Sequence, residues 1–462
     1  MNTSSCNIKT DDQGGTKNAN HPCYSEKAHH HFARMHLAVA PGCNVQCNYC
    51  NRKYNCANES RPGVVVDRLT PDEALAKVAF VADEMPELSV IGIAGPGDTL
   101  ASPQRSFETL EKIKENFPDL KLCLSTNGLA LPKYVKEIAR MGVEHVTVTV
   151  NSFNPETMKK IYDWVKYKGK KDNSTEAMIN FMVQQRQGIA ALVNLGVMVK
   201  INSLLMPGIN DHELPELASK LKEMGVFMHN IMPLIAKPEH GTRFGLEGRP
   251  EPTKEEMTAM REQCGDIKQM AHCQQCRADA VGKLGEDRFA EFTKEKFLAE
   301  KPNLDNGSKK RAMWRKRVAF ELGQDAPNED EQGILIACMS ESQGLVNQHF
   351  GHAKDYYLYE VKNGEAYLLG LKTLPATYCK GDISCGDKGG LMDKILGAME
   401  GVQAIVCLRV GQPVAKEIIA AGILPVTDQP MMPLEQAAVE AASRVMASLT
   451  ETETNLVQEE QS

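Results

Sequence analysis

No apolar run in this chain is long enough to cross a bilayer. The polar start, Met1-Asn2-Thr3-Ser4-Ser5, has no apolar signal core. Both absences point to a cytoplasmic protein with no membrane association. Positive charge is also short. The 53 Lys and Arg are outnumbered by 60 Asp and Glu, a formal net charge of −7, which argues against general nucleic-acid binding. One basic run (Lys309, Lys310, Arg311, Arg315, Lys316 and Arg317) departs from that average and reads as a solvated helix face or linker. No internal repeat relates the two halves of the chain. Cysteine, by contrast, is plentiful. Fourteen cysteines without an export signal are better read as metal ligands than as disulfides.

With 462 residues and 42% hydrophobic content, two or three domains with sizeable cores are expected. From about residue 36, short β-rich runs alternate with amphipathic stretches. Strands are expected at 36–40, 89–94, 121–125, 145–150, 197–203 and 227–233. Helices are expected between them at 71–85, 104–117, 132–141, 175–195 and 212–224. Such β/α units in series imply a parallel sheet with right-handed crossovers. Six units are too few for a closed eight-unit barrel, so the fold class is α/β, a partial (β/α)6 TIM-type barrel, its site at the C-terminal strand ends. The expected boundaries are a disordered N-terminus over 1–20, the barrel over 21–301, a linker over 302–332, a smaller α/β domain over 333–450 and a disordered tail over 451–462. Asp325 to Glu331 reads as an acidic hinge that lets the second domain move independently.

Directly after the first expected strand come Cys43, Cys47 and Cys50, spaced C-x₃-C-x₂-C. A structural zinc ion would need a fourth ligand nearby to close its tetrahedron. Three thiolates instead suit a [4Fe–4S] cluster with one iron open. Gly95-Pro96-Gly97-Asp98 ends the second strand, where glycine lets backbone approach a ligand closely. Further cysteines are spread along the chain: Cys23, Cys56, Cys123, and the C-x₂-C pair Cys273 and Cys276. That pair could bind zinc with Cys264 and His272, or be redox-active. Cys123 alone would pass for a buried core thiol, and His29, His30 and His31 for a solvated patch.

The triplet, with Tyr49 before its third cysteine, resembles the radical S-adenosylmethionine (SAM) superfamily. The blocks Cys43 to Tyr54, Cys56 to Gly63, Ile201-Asn202-Ser203, Pro207 to Asp211 and Pro238 to Thr242 resemble the nitrogenase cofactor maturase family, over about residues 21–300. Asn347-Gln348-His349-Phe350-Gly351-His352-Ala353, with Cys379 and Cys385 nearby, resembles the dinitrogenase cofactor-binding (NifX-like) family. The first resemblance implies that Cys43, Cys47 and Cys50 hold the SAM-cleaving [4Fe–4S] cluster. It also implies that Gly95, Gly97, Tyr49, Thr149, Asn151 and Ile201 contact SAM or its cluster. Two further [4Fe–4S] clusters would be substrates, one on His29, Cys56 and Cys273 and the other on Cys23, Cys123 and Cys276. His36 stands close enough to replace His29. Glu59, Arg61 and His240 are candidates for proton handling, although structural hydrogen bonding in loops would explain them as well.

The implied reaction is a carbide synthesis. Two SAM molecules supply a methyl group and a 5′-deoxyadenosyl radical, and the substrate clusters fuse into an eight-iron core with one added sulfur. Implied partners are iron–sulfur cluster donors, an electron donor and downstream cofactor carriers or scaffolds. Two other readings stay open. One is a different radical SAM enzyme with auxiliary clusters. The other is a non-catalytic cluster carrier, which would suit the second domain but leave the triplet unexplained.

Overall fold

The computed structural model describes residues 20–54, 56–57, 67–270, 278–299, 304, 307–322, 333–379 and 389–459. Six parallel strands form the barrel wall in sequence order: Ala33–His36, Leu88–Ile93, Lys121–Thr126, His145–Thr149, Met198–Leu205 and Met228–Pro233. Val281–Gly282 adds a short antiparallel edge beside the first. The helices are Pro71–Glu84, Pro103–Asn116, Leu131–Arg140, Thr175–Asn194 and Leu214–Glu223. These elements meet the expected α/β partial barrel within a few residues at most ends. Local chemistry fixes the starts. Thr70 and Glu73 form a reciprocal capping box before Pro71, a device worth about 1 kcal/mol.

Strand alternation sorts the side chains. In the fifth strand Val199 and Ile201 are buried in the apolar layer between sheet and helices, whereas Lys200 and Asn202 face the barrel interior. A small three-stranded sheet stands apart, pairing Val45–Cys47 with Tyr162–Tyr167 and that strand with Lys170–Asp172. Sequence periodicity gave no expectation of it.

The expected linker contains a helix, Ser308–Glu321, whose Arg311 is 1% exposed and paired with Asp119 at 2.7 Å. Part of the basic run is therefore a buried anchor. Its exposed members, such as Lys310 and Arg317, lie on the solvated face.

The second domain is a five-stranded sheet ordered Glu365–Thr373, Asp355–Lys362, Ile334–Cys338, Val402–Val406 and Leu424–Val426. It is not held by its linker alone. One apolar cluster runs from Leu192 and Leu195 of the barrel into Tyr359, Leu371 and Ala438. The Tyr359 hydroxyl donates to the Leu195 carbonyl at 3.1 Å, and Asn194 donates to the Gln343 carbonyl at 2.9 Å. The last helix, Leu434–Glu459, continues past residue 450, so the expected tail is largely helical. The acidic hinge lies outside the described residues. Among the described residues no helix is long and apolar enough to cross a membrane.

Candidate active site

At the C-terminal end of the first strand the chain runs on through Ala40 into the cysteine loop. The small sheet clamps that loop from one side. Asn48 donates to the Lys160 carbonyl at 2.8 Å, and Gln46 reaches the Cys47 and Cys50 carbonyls at 3.1 and 3.0 Å. The glycine turn clamps it from the other. Gly97 N–H donates to the Ala40 carbonyl at 2.6 Å, and Asp98 N–H to the Gly42 carbonyl at 2.7 Å. A Cβ on Gly97 would collide with the Gly42 carbonyl, so only glycine fits.

Between these two clamps lies a pocket of about 680 Å³, lined by Cys43, Cys47, Cys50, Arg52, Cys56, Pro96, Gly97, Asn127 and Thr149 among others. Burial, then the Asp98 carboxylate, pushes the Cys43 thiol up to about 12. Burial also raises Cys50. A thiolate is therefore disfavoured here until a cationic metal centre arrives to stabilise it. A four-iron cube takes its thiolates at separate corners, and three cysteines of one loop that line one pocket are a donor set of that kind.

A second cavity of about 590 Å³ lies deeper in the barrel. Cys23, His36 and Cys123 line it, with Asn202, Asn230, Met232 and Met270. Its charged lining residues, Arg34 and Lys200, are both cationic. Gly92 leaves room between the donors: a Cβ there would lie 3.1 Å from the His36 ring and 3.9 Å from Cys123 Cβ. His21 lies against His145, the ring centroids 4.3 Å apart, and burial followed by the nearby Lys200 holds it well below the usual histidine range, hence neutral. Ser125 lines both cavities, so one residue at the end of the third strand forms part of their shared wall.

Several expected site residues fall elsewhere. Ile201 packs on the helix side of the sheet, because alternation turns it away from the interior that Lys200 and Asn202 face. Its side chain belongs to the apolar core. Asn151 lies behind the pocket, donating to the Tyr49 and Tyr162 hydroxyls at 2.8 and 3.2 Å. Tyr49 is 1% exposed and packs in the apolar cluster under the loop. Gly95 precedes the lining residues Pro96 and Gly97, and its positive φ of 141° bends the turn. His240 sits above the loop, where its carbonyl accepts from Asn51 at 3.0 Å. His29 lies in a 3-10 turn before the first strand, its ring tilted against that of His30, and is not among the residues lining either cavity. Cys56 lines the upper pocket. Glu59, Arg61, Cys273 and Cys276 lie outside the described residues.

Arg52, whose expected role goes no further than a contact with cluster sulfides, donates to the Cys43 and Val45 carbonyls and lies 5.0 Å over the Trp164 ring. The expectation overlooked Asn127, Lys200, Asn202 and Asn230. Their signal was available, since each sits on or just past a barrel strand.

In the second domain, His349 and His352 face each other with ring centroids 5.2 Å apart. Cys379 N–H donates to the Gly351 carbonyl at 2.7 Å, which brings the exposed Cys379 beside them. Cys385 lies outside the described residues.

Comparison with known proteins agrees with this division. The Radical SAM superfamily matches residues 37–221, and the Dinitrogenase iron-molybdenum cofactor family matches residues 332–444. "FeMo cofactor biosynthesis protein NifB" of Azotobacter vinelandii is 43% identical over 90% of this chain and 86% of its own. The proteins of that name from Bradyrhizobium diazoefficiens and Klebsiella pneumoniae are 46% and 45% identical, over 88% and 91% of this chain and 83% and 89% of theirs. The likeness thus runs along nearly the whole length of the chain and takes in both domains, and the chain belongs to the NifB family of radical SAM proteins.

Proposed function

We propose that this protein builds the eight-iron, carbide-centred precursor of the nitrogenase iron–molybdenum cofactor from two [4Fe–4S] substrate clusters. The adjacency of the two cavities at Ser125 carries the reading. One cavity holds the cysteine triplet. The other is lined by sulfur and nitrogen donors and by two cations, a suitable environment for anionic iron–sulfur cargo.

Cys43, Cys47 and Cys50 would hold the resident cluster, which when bound supplies the electron that cleaves SAM to a 5′-deoxyadenosyl radical. Gly97 and Thr149 position SAM in the upper pocket. Cys23, Cys123 and His36 hold substrate clusters below, with Cys56, Cys273 and Cys276 completing the set. One SAM gives its methyl group to a substrate-cluster sulfide, and a second is the source of the radical that removes a methyl hydrogen. The enclosed barrel keeps that radical from solvent and close to its target. Glu59, Arg61 and His240 serve proton transfer. Arg34 and Lys200 offset the negative charge of the cargo. The reaction runs in the cytoplasm, fed by cluster donors and an electron donor, and the product passes to carrier proteins. His349, His352 and Cys379 of the second domain hold it on the way.

Anaerobic protein given SAM and reductant should release both 5′-deoxyadenosine and S-adenosylhomocysteine while an eight-iron species forms. The first product without the second would mean a different radical SAM reaction. Neither product, with iron bound, would mean a carrier.

A further inference from the structure

The third barrel strand ends in Ser125-Thr126-Asn127-Gly128, and Asn127 is held there from every side. Its backbone N–H donates to Asp98 Oδ2 at 2.6 Å. Its side-chain oxygen accepts from Leu129 N–H at 2.9 Å, and its carbonyl from Gln185 at 2.8 Å. Gly128, at a φ of 85°, turns the chain away immediately afterwards. The residue is 6% exposed. These restraints leave its side-chain amide one direction. Nδ2 lies 2.7 Å from Asn44 Oδ1 and 3.8 Å from Cys43 Sγ. An amide nitrogen carries two hydrogens. One serves Asn44, and the other is directed at the sulfur.

We infer that Asn127 is a positioning residue that raises the reduction potential of the SAM-cleaving cluster by donating its Nδ2–H to the Cys43 thiolate. A hydrogen bond to a ligating sulfur draws electron density from the cluster and favours the reduced state. Asn127 also meets the buried Asp98 carboxylate. It thus has its backbone on Asp98 and its side chain on the sulfur. Thr126 hydroxyl and the Leu100 and Ala101 amides also donate to that carboxylate, at 3.0 to 3.2 Å. Removing the Asn127 amide would leave the sulfur without this donor. Asn44 fixes the amide's rotation and acts one step further out.

The experiment is a redox titration of the full-length, cluster-loaded protein, followed by the electron paramagnetic resonance signal that responds to SAM. Asn127→Leu should shift the reduction equilibrium about tenfold toward the oxidised cluster, a midpoint about 59 mV more negative for one electron. Asn44→Ala, which frees the amide without removing it, should shift it the same way by less. An exchangeable-deuteron coupling on the reduced wild-type cluster should disappear in Asn127→Leu. An unchanged midpoint in both loaded variants overturns the inference, even if SAM affinity falls, and makes Asn127 a packing residue. Should Asn127→Leu fail to load its cluster, wild-type protein labelled with ¹⁵N at asparagine decides. A side-chain ¹⁵N coupling on the reduced cluster is expected, and its absence overturns the assignment.

Discussion

The two cavities of the barrel are built in opposite ways. The cysteine triplet of the upper pocket comes from eight consecutive residues, Cys43 to Cys50, folded over one strand end, and Cys56 follows only six residues later. The lower cavity takes Cys23 from before the first strand, His36 from its end, Cys123 from the third strand and Lys200 from the fifth. A contiguous loop is organised once its own strand and the glycine turn are in place. A dispersed cavity exists only after the whole sheet has closed. The difference suits the proposed roles. A resident cofactor needs a local, durable seat, whereas cargo that must leave is better held by donors from separate elements.

The sharpest break between the cavities is chemical. Replacing Cys43, Cys47 and Cys50 together with alanine should abolish 5′-deoxyadenosine formation while iron in the lower cavity remains. Loss of all iron would show that the cavities do not load separately. Next in size, His36→Ala should remove a nitrogen coupling from a substrate cluster and cut eight-iron product at least about tenfold, while His29→Ala leaves the coupling in place. Pulsed electron paramagnetic resonance distinguishes them, and the reverse pattern would return the ligand to the 3-10 turn. A subtler change is Lys200→Met, which keeps the bulk but removes a buried cation. It should weaken retention of substrate-cluster iron about tenfold, as expected for one partly buried charge interaction, and leave the SAM signal unaltered. Equal loss from both sites would refute a local electrostatic role.

The smallest effect concerns stability. His229 is fully buried, its Nε2 is 2.9 Å from Ser203 Oγ, and burial lowers its pKa to about 3. The unfolded chain then takes up a proton that the folded one refuses between about pH 3 and 6.5. The stabilisation is complete above 6.5 and is lost as pH falls, by at most about 1.4 kcal/mol per unit from this residue. His229→Gln should flatten that part of the stability profile in denaturant titrations, and an unchanged slope would contradict it.

Much of this was legible in the sequence for physical reasons. Buried parallel strands and amphipathic helices leave strong periodic signals, so the six β/α units emerged with nearly correct ends. The cysteine triplet emerged because its ligands are adjacent. For Ile201 the resemblance named the strand, while alternation decided which face its side chain takes. The choice between His29 and His36 was not legible, because spacing from Cys23 does not report that His29 sits in a 3-10 turn while His36 lines the lower cavity. The Val45–Cys47 pairing stayed hidden because its partner strand begins at Tyr162, too distant for any local pattern to report.

The seam between the domains has a consequence for shortened forms of the protein. The helix Thr175–Asn194 packs on the barrel sheet and also lies along the seam where Leu195 and Asn194 meet Tyr359 and Gln343. Gly344 presses so near the Ala191 carbonyl that a Cβ there would come within 2.9 Å of it. A chain cut near Asp325 retains every β/α unit, so its interior should fold. Its outside is another matter, because a surface evolved to be covered becomes bare. Such a fragment should be catalytically sound yet poorly soluble, and detergent or a few polar substitutions along that helix should recover it. Low yield from a truncated form would then report on its exposed flank, without bearing on the chemistry inside.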